Sequence, residues 1–352
     1  MERVLVCILA STRAHQLTWQ SFTRQVLDEL KADLALAVTI DDKYDYANPY
    51  WQHAKYRWTG FQPADMGDSF DLAQKWFCQD HGISPPDWRL MLRIKGLWQG
   101  GIVTAEPQPS YTANLFFCRW LLLHGLQHDG VLERYDRFVV TRSDFVWLAP
   151  HPPLSILNRE SLWVPDGEHY GGLTDRHLVV SRDDAVPALS LIDDILLRPD
   201  ELYGEMKHEA YWNTERFLAH HFERKGLLPR VKQFPYVMYL ARGVRETPST
   251  WSVGRYEPSV GHVVKYGPEF RRATAYAAVI RTRDDWESGA WRTFDAEAAP
   301  RQPQASGLKR HVLWLGRRVF WALWLPGRPA RFGRFIRRTL QRPQGSAGLA
   351  AK

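Results

Sequence analysis

At 352 residues, with 45% apolar and 24% charged side chains, the chain has room for one large domain or two small ones and enough apolar surface to bury a core. That composition excludes a mainly disordered, collagen-like or disulfide-scaffold protein. The net charge of +7 hides a division: no Asp or Glu follows Glu297, and taking the 12 Lys and Arg of residues 298–352 from the total of 46 leaves 34 basic against 39 acidic side chains, a net of −5 for the body.

Val4–Ala10 (VLVCILA) is a continuous apolar run, as in a strand buried on both faces. After Ser11-Thr12-Arg13, the residues Trp19, Phe22, Val26, Leu27 and Leu30 recur at helical spacing. Ala32–Ile40 is a second buried strand, closed by Asp41-Asp42. Strand, helix, strand within forty residues is a βαβ unit and predicts a parallel sheet with helices on its faces. Residues 43–110 carry little periodicity beyond a helix at 68–80. Ser110–His124 reads as a long buried helix, Phe138–Thr141 as a strand, and Ser161–Pro165 and Leu178–Ser181 as two more. Helices follow at 184–197 and 207–225, the latter ended by Gly226 and Pro229, and residues 231–241 read as one further strand. From about 243 the pattern loosens, and residues 298–307 have the composition of a linker.

Cys7, Cys78 and Cys118 show neither metal-binding nor redox spacing, and an odd, sparse count suits a reducing compartment. No run approaches the ~18 apolar residues of a membrane span, and the first apolar run is short for a secretory leader. A cytoplasmic protein is expected. No phosphate loop, Gly-x-Gly-x-x-Gly or Gly-x-Ser-x-Gly occurs, which removes the usual support for kinase, dinucleotide-dehydrogenase and hydrolase readings.

The stretch 135–180 carries the chemistry. An apolar strand ends in Arg142-Ser143-Asp144, and in an open α/β sheet ligands bind outside the carboxyl ends of the strands. About thirty residues on, Gly171-Gly172 permits close backbone approach to a ligand, and Asp175, Arg176 and His177 follow. Two carboxylates, two guanidiniums and an imidazole around one crevice are a set able to hold a diphosphate: carboxylates take a divalent cation, and Arg takes phosphate oxygens bidentately. Each residue also has a plain structural reading. Asp144 can cap a turn, Asp175 and Arg176 can be an ion pair, His177 a packed histidine, Glu215 a surface group and Arg13 a solvated one.

YDRFVVTRSDFVW (135–147) followed by WVPDGEHYGGLTDRHLVVS (163–181) resembles the core of GT-A-type glycosyltransferase-like proteins of bacterial polysaccharide and lipopolysaccharide biosynthesis. The resemblance extends over residues 1 to about 240 and implies a GT-A-like, Rossmann-like α/β fold with a mostly parallel sheet. It implies a hexosyltransferase-type enzyme that moves a sugar from a nucleotide-sugar donor to a surface-glycan or lipid-linked acceptor. Arg142-Ser143-Asp144 then stands where such enzymes carry Asp-x-Asp. Asp144 would contact a divalent metal, Mn²⁺ or Mg²⁺, or the ribose. Arg142 departs from the motif and neutralises phosphate directly, which argues against strict metal dependence. Asp175 is the expected general base of an inverting transfer, with Glu215 the second candidate. Arg176 or His177 would offset charge on the departing diphosphate. Arg13, Arg142, Gly171 and Gly172 complete the expected nucleotide-sugar site. Two other readings stay open: a non-catalytic glycan- or partner-binding subunit of an assembly complex, and a sugar-phosphate transferase.

The expected organisation is a catalytic domain over 1–297, a linker over 298–307 and a basic aromatic tail over 308–352. In Leu308–Leu325, Leu308, Val312, Leu315, Val319 and Leu323 fall on one helical side, with Arg310, Arg317 and Trp321 opposite. That is the composition of a helix lying on an anionic membrane surface, although the same apolar side could pack against the body. It places the protein at the inner face of a membrane, beside a lipid-linked acceptor. No nucleic-acid partner is expected, because the body is acidic and lacks a nucleic-acid motif.

Overall fold

The computed structural model describes residues 2–104, 106–243 and 253–296. The expected linker and tail lie outside the described residues. Among the described residues, no helix is long and apolar enough to cross a membrane.

The main sheet has seven strands in the order β3-β2-β1-β4-β7-β6-β8. They are β1 (Val4–Ala10), β2 (Asp33–Ile40), β3 (Tyr56–Phe61), β4 (Arg137–Thr141), β6 (Leu162–Pro165), β7 (Leu178–Ser181) and β8 (Val231–Phe234). All neighbours are parallel except β7, which runs against both β4 and β6. This mostly parallel, helix-flanked sheet is the α/β architecture expected from the sequence. Its strands alternate between two cores because side chains on a strand point to opposite faces. Leu5, Cys7 and Leu9 enter one core with the helices α2 (Met66–His81) and α3 (Thr112–His128). Val4, Val6 and Ile8 enter the other, with Phe22 and Val26 of the helical run that begins as α1 (His15–Phe22).

A smaller antiparallel sheet has the order β10-β11-β9-β5, with β5 (Phe145–Trp147), β9 (Met238–Arg242), β10 (Arg255–Glu257) and β11 (His262–Val264). Residues 231–241 are therefore two strands in two sheets. Pro235 stands between them, where its missing N–H and fixed φ end the ladder. The expected helix over 207–225 is shorter, and α4 (Thr214–Arg224) starts at the Asn213 cap, whose side chain accepts from the Arg216 N–H. The expected helix over 184–197 is two helices, Arg182–Leu189 and Leu191–Leu197, meeting at Ser190. The region without clear periodicity holds β3 and several short helical turns. Cys7, Cys78 and Cys118 are free and buried.

Candidate active site at the carboxyl rim of the sheet

Strand direction brings the predicted residues together. β1 and β4 are parallel, so Arg13 and Asp144 leave the same edge of the sheet. β7 is antiparallel to β4 with Val140 opposite Leu178. Carried two places further, that register sets Arg142 opposite Arg176 and Ser143 opposite Asp175. Asp175 therefore enters its strand at the edge where Asp144 leaves one.

Asp144 is 2% exposed and lies between two guanidiniums. Arg142 donates from Nε to Oδ1 at 3.1 Å and from Nη2 to Oδ2 at 3.0 Å. Arg13 reaches Oδ2 from Nε at 3.0 Å and from Nη2 at 2.9 Å. Burial alone would raise the Asp144 pKa, but Arg142 and Arg13 outweigh it and hold the carboxyl well below the usual range. The turn is clamped by Ser143, whose Oγ lies 2.8 Å from the Ser11 carbonyl and 3.0 Å from that of Arg13.

The small sheet adds residues that the sequence did not reveal. β5 follows Asp144 directly, the Ala241 N–H donates to the Asp144 carbonyl at 2.9 Å, and the Lys265 N–H donates to the Leu240 carbonyl at 2.9 Å. This ladder brings Arg242 and Lys265 to the rim. Burial, then the charges of Arg142 and Arg242, push the Lys265 ammonium down to about 7. The chain signal for these residues is faint because β10 and β11 are three residues each.

Asp175 is half-buried and faces Arg119 of α3, a guanidinium 2% exposed whose Nη2 lies 3.4 Å from the Asp175 carbonyl. Burial disfavours the Arg119 charge and the charge of Asp175 supports it. Arg119 was visible in principle as one cation inside the apolar run Leu115–Leu123. Glu215, in the first turn of α4, sits beside Asp175. Burial first and the charge of Asp175 second push its carboxyl up to about 8, and backbone hydrogen bonding at the helix start only partly opposes them.

The loop 166–174 is tied to α4. Leu173 N–H donates to the Glu215 carbonyl at 2.9 Å, and Asn213 Nδ2 to the Tyr170 carbonyl at 2.8 Å. Gly172 is required by this contact, because a Cβ there would stand 2.2 Å from the Glu215 backbone. Gly172→Ala is expected to cost about 1–3 kcal/mol through forced separation of loop and helix. Denaturant unfolding checks it, and wild-type stability would show that the two segments do not meet this closely. Gly171 has φ +81° and open space around it. Ala10 (φ 72°), Ala14 (57°), Glu168 (59°) and Tyr170 (46°) are also left-handed, and all four flank the rim segments. Each such non-glycine residue costs on the order of 1 kcal/mol or more, a pattern typical of functional sites.

Arg176 and His177 turn away from the opening. Arg176 is 4% exposed, with Nη1 2.6 Å from Glu269 and 3.2 Å from the Tyr236 hydroxyl, and Nη2 3.6 Å from Glu168. It forms the floor, so the group expected to offset diphosphate charge is already neutralised by carboxylates. His177 lies behind the rim between Trp147 and Phe234, with its Nε2 3.2 Å from His151 Nε2. His151 Nδ1 donates to the Pro152 carbonyl at 2.7 Å, so its Nε2 accepts and His177 Nε2 donates. Burial and the neighbouring His151 hold His177 neutral.

The donor set does not suit a divalent metal ion. Both Asp144 oxygens already accept guanidinium N–H bonds, and a cation at the short metal–oxygen distance of about 2.1 Å would meet Arg13 and Arg142 head on. Among the described residues, no group of three or more His, Cys, Asp or Glu side chains is placed to hold a metal ion. The expected role of Asp144 as metal ligand therefore does not fit its surroundings, in which both of its oxygens are taken by Arg13 and Arg142.

No family model and no curated protein matches the sequence. Among solved structures, the apo form of mouse xyloside xylosyltransferase 1 is similar at a TM-score of 0.36 and 9% identity, covering 67% of this chain and 85% of that one. A likeness so distant carries no weight for the chemistry, which rests on the residues themselves.

Proposed function

We propose that the chain is a glycosyltransferase that transfers a sugar from a nucleotide-sugar donor to a surface-glycan or lipid-linked acceptor. The observation that carries this reading is the meeting of Asp175, Glu215, Arg142 and Lys265 at the carboxyl rim of a mostly parallel sheet, where open α/β folds bind their ligands. Arg142 is bonded to Asp144 and also lies within the field of Asp175. In the proposed reaction Asp175 takes the proton of an acceptor hydroxyl. That oxygen attacks the anomeric carbon, the bond from this carbon to the diphosphate oxygen breaks, and its electron pair leaves with the diphosphate. Glu215 holds its proton below about pH 8 and serves as a hydrogen-bond donor beside the base. The basic tail would hold the enzyme at the inner face of a bacterial membrane, a proposal supported by its composition.

The test is incubation of the purified chain with a panel of UDP- and GDP-sugars and lipid-linked acceptors, with products read by mass. A hexose added to the acceptor is expected. An added hexose phosphate would establish the sugar-phosphate transferase instead. Nucleotide binding without turnover across the panel would favour a non-catalytic binding subunit, a reading to which the locked carboxylate at Asp144 lends support.

A further inference from the structure

Arg13 and Arg142 are held in an unusual way. Each gives its Nε and Nη2 edge to the single carboxylate of Asp144. A guanidinium has five N–H donors in a fixed plane, so each keeps its Nη1 edge unspent on Asp144. One buried carboxylate thus orients two forks, and its one negative charge is met by two positive ones. The Arg13 side chain is 38% exposed and that of Arg142 17%, so both retain some contact with solvent while Asp144 is buried. The β5–β9–β11 ladder adds Arg242 and Lys265 on a third side. Lys265 also lies 4.8 Å from the centre of the Tyr266 ring, which supports an ammonium.

We propose that this rim binds the diphosphate of its ligand directly on fixed protein cations, with Arg13, Arg142 and Lys265 replacing a divalent metal ion and Asp144 serving to aim the two guanidiniums. The inference rests on the nucleotide-sugar reading for the identity of the ligand, and on the donor geometry for the mode of binding. Planar bidentate forks match phosphate oxygens. A diphosphate is multiply charged at neutral pH, and the basic edge formed by Arg13, Arg142 and Lys265 is matched to it. Groups facing Lys265 include Arg142, Asp144, Arg176, Arg242 and the Tyr266 ring, and burial first, then the cations among them, push its ammonium down to about 7. An arriving anion opposes that loss, so binding draws a proton onto the Lys265 amine and restores the ammonium.

The full chain is titrated calorimetrically with UDP, GDP and inorganic pyrophosphate, in EDTA and then in Mg²⁺ or Mn²⁺. Dissociation constants equal within about twofold across these conditions are expected. Titrations at pH 7 in buffers of different ionisation heat are expected to show more proton uptake in the wild type than in Lys265→Met. Arg142→Gln and Lys265→Met are each expected to weaken binding at least tenfold. Binding that disappears in EDTA and returns with Mn²⁺ overturns the inference and leaves the nucleotide-sugar reading standing. Wild-type affinity in folded Lys265→Met overturns it as well. If pyrophosphate binds on these cations but UDP and GDP bind no better, the cradle stands and the nucleotide-sugar reading falls. If none of the three binds under any condition, both fall.

Discussion

Asp175→Asn is expected to lower sugar transfer by about 10²–10⁴, the range for loss of a positioned general base, while nucleotide affinity changes by no more than a few-fold. The substitution keeps the shape and removes only the charge. The Asp175 carbonyl still meets Arg119, so the turn stays in place. A second consequence separates a chemical from a structural role. The wild-type Glu215 carboxyl is pushed up to about 8 by burial and then by the charge of Asp175. Deleting that charge favours the Glu215 carboxylate, and the basic limb of the pH–rate profile moves to lower pH. Glu215 loses its proton near the ordinary 4.5 when unfolded but near 8 when folded. The stability linked to it is therefore fully present below pH 4.5 and is lost as pH rises through about 8. Thermal unfolding across that window should fall in the wild type and fall less in Asp175→Asn. Turnover and profile both indistinguishable from wild type would remove Asp175 from the mechanism.

The largest stability loss is expected at Arg176. Its guanidinium is the counter-charge of Glu269, a side chain with no exposure at all. Glu269 also accepts from the Leu240 N–H at 2.5 Å, so it pins β9 to α5 (Gly267–Val279) and cannot turn outward. Arg176→Met leaves that carboxylate buried without its counter-charge, while Glu168 keeps its bond from the Tyr170 hydroxyl. Breaking one side of a buried pair costs about 3–5 kcal/mol, a fall of roughly 10 °C in Tm for a domain of this size. The double variant Arg176→Met/Glu269→Gln removes the stranded charge and should regain more than half of the loss. Denaturant unfolding of the three proteins closes the cycle. A single-variant cost below about 1 kcal/mol would mean that the pair is not what fastens the small sheet beneath the rim.

The strands most legible in the sequence were those buried on both faces, because only there does a run such as Val4–Ala10 stay apolar without interruption. Arg13 and Asp144 inherit that legibility by standing just after β1 and β4. Asp175 came by a weaker route: an apolar run marks Leu178–Ser181 as a strand but says nothing of its direction, and its antiparallel course is what returns Asp175 to the rim. The small sheet was unreadable for a different reason. Strands of three residues carry no period, and Pro235 lies inside what reads as one apolar segment. Lys265 and Arg242 were missed with it. Arg176 and His177 were read as site residues from adjacency to Asp175, yet neighbours on a strand point to opposite sides, and only the surrounding packing tells which of them faces a ligand.

Asp144 is the last residue before the chain passes from the large sheet into β5 of the small one. Its carbonyl is held by Ala241 and its carboxylate by two arginines, so this joint is fixed at both ends. Prying the two sheets apart would first have to tear that joint. The stretch around Glu168–Gly172 is fastened as well, by Asn213 to the Tyr170 carbonyl and by Leu173 to the Glu215 carbonyl, so both banks of the rim are braced before any ligand arrives.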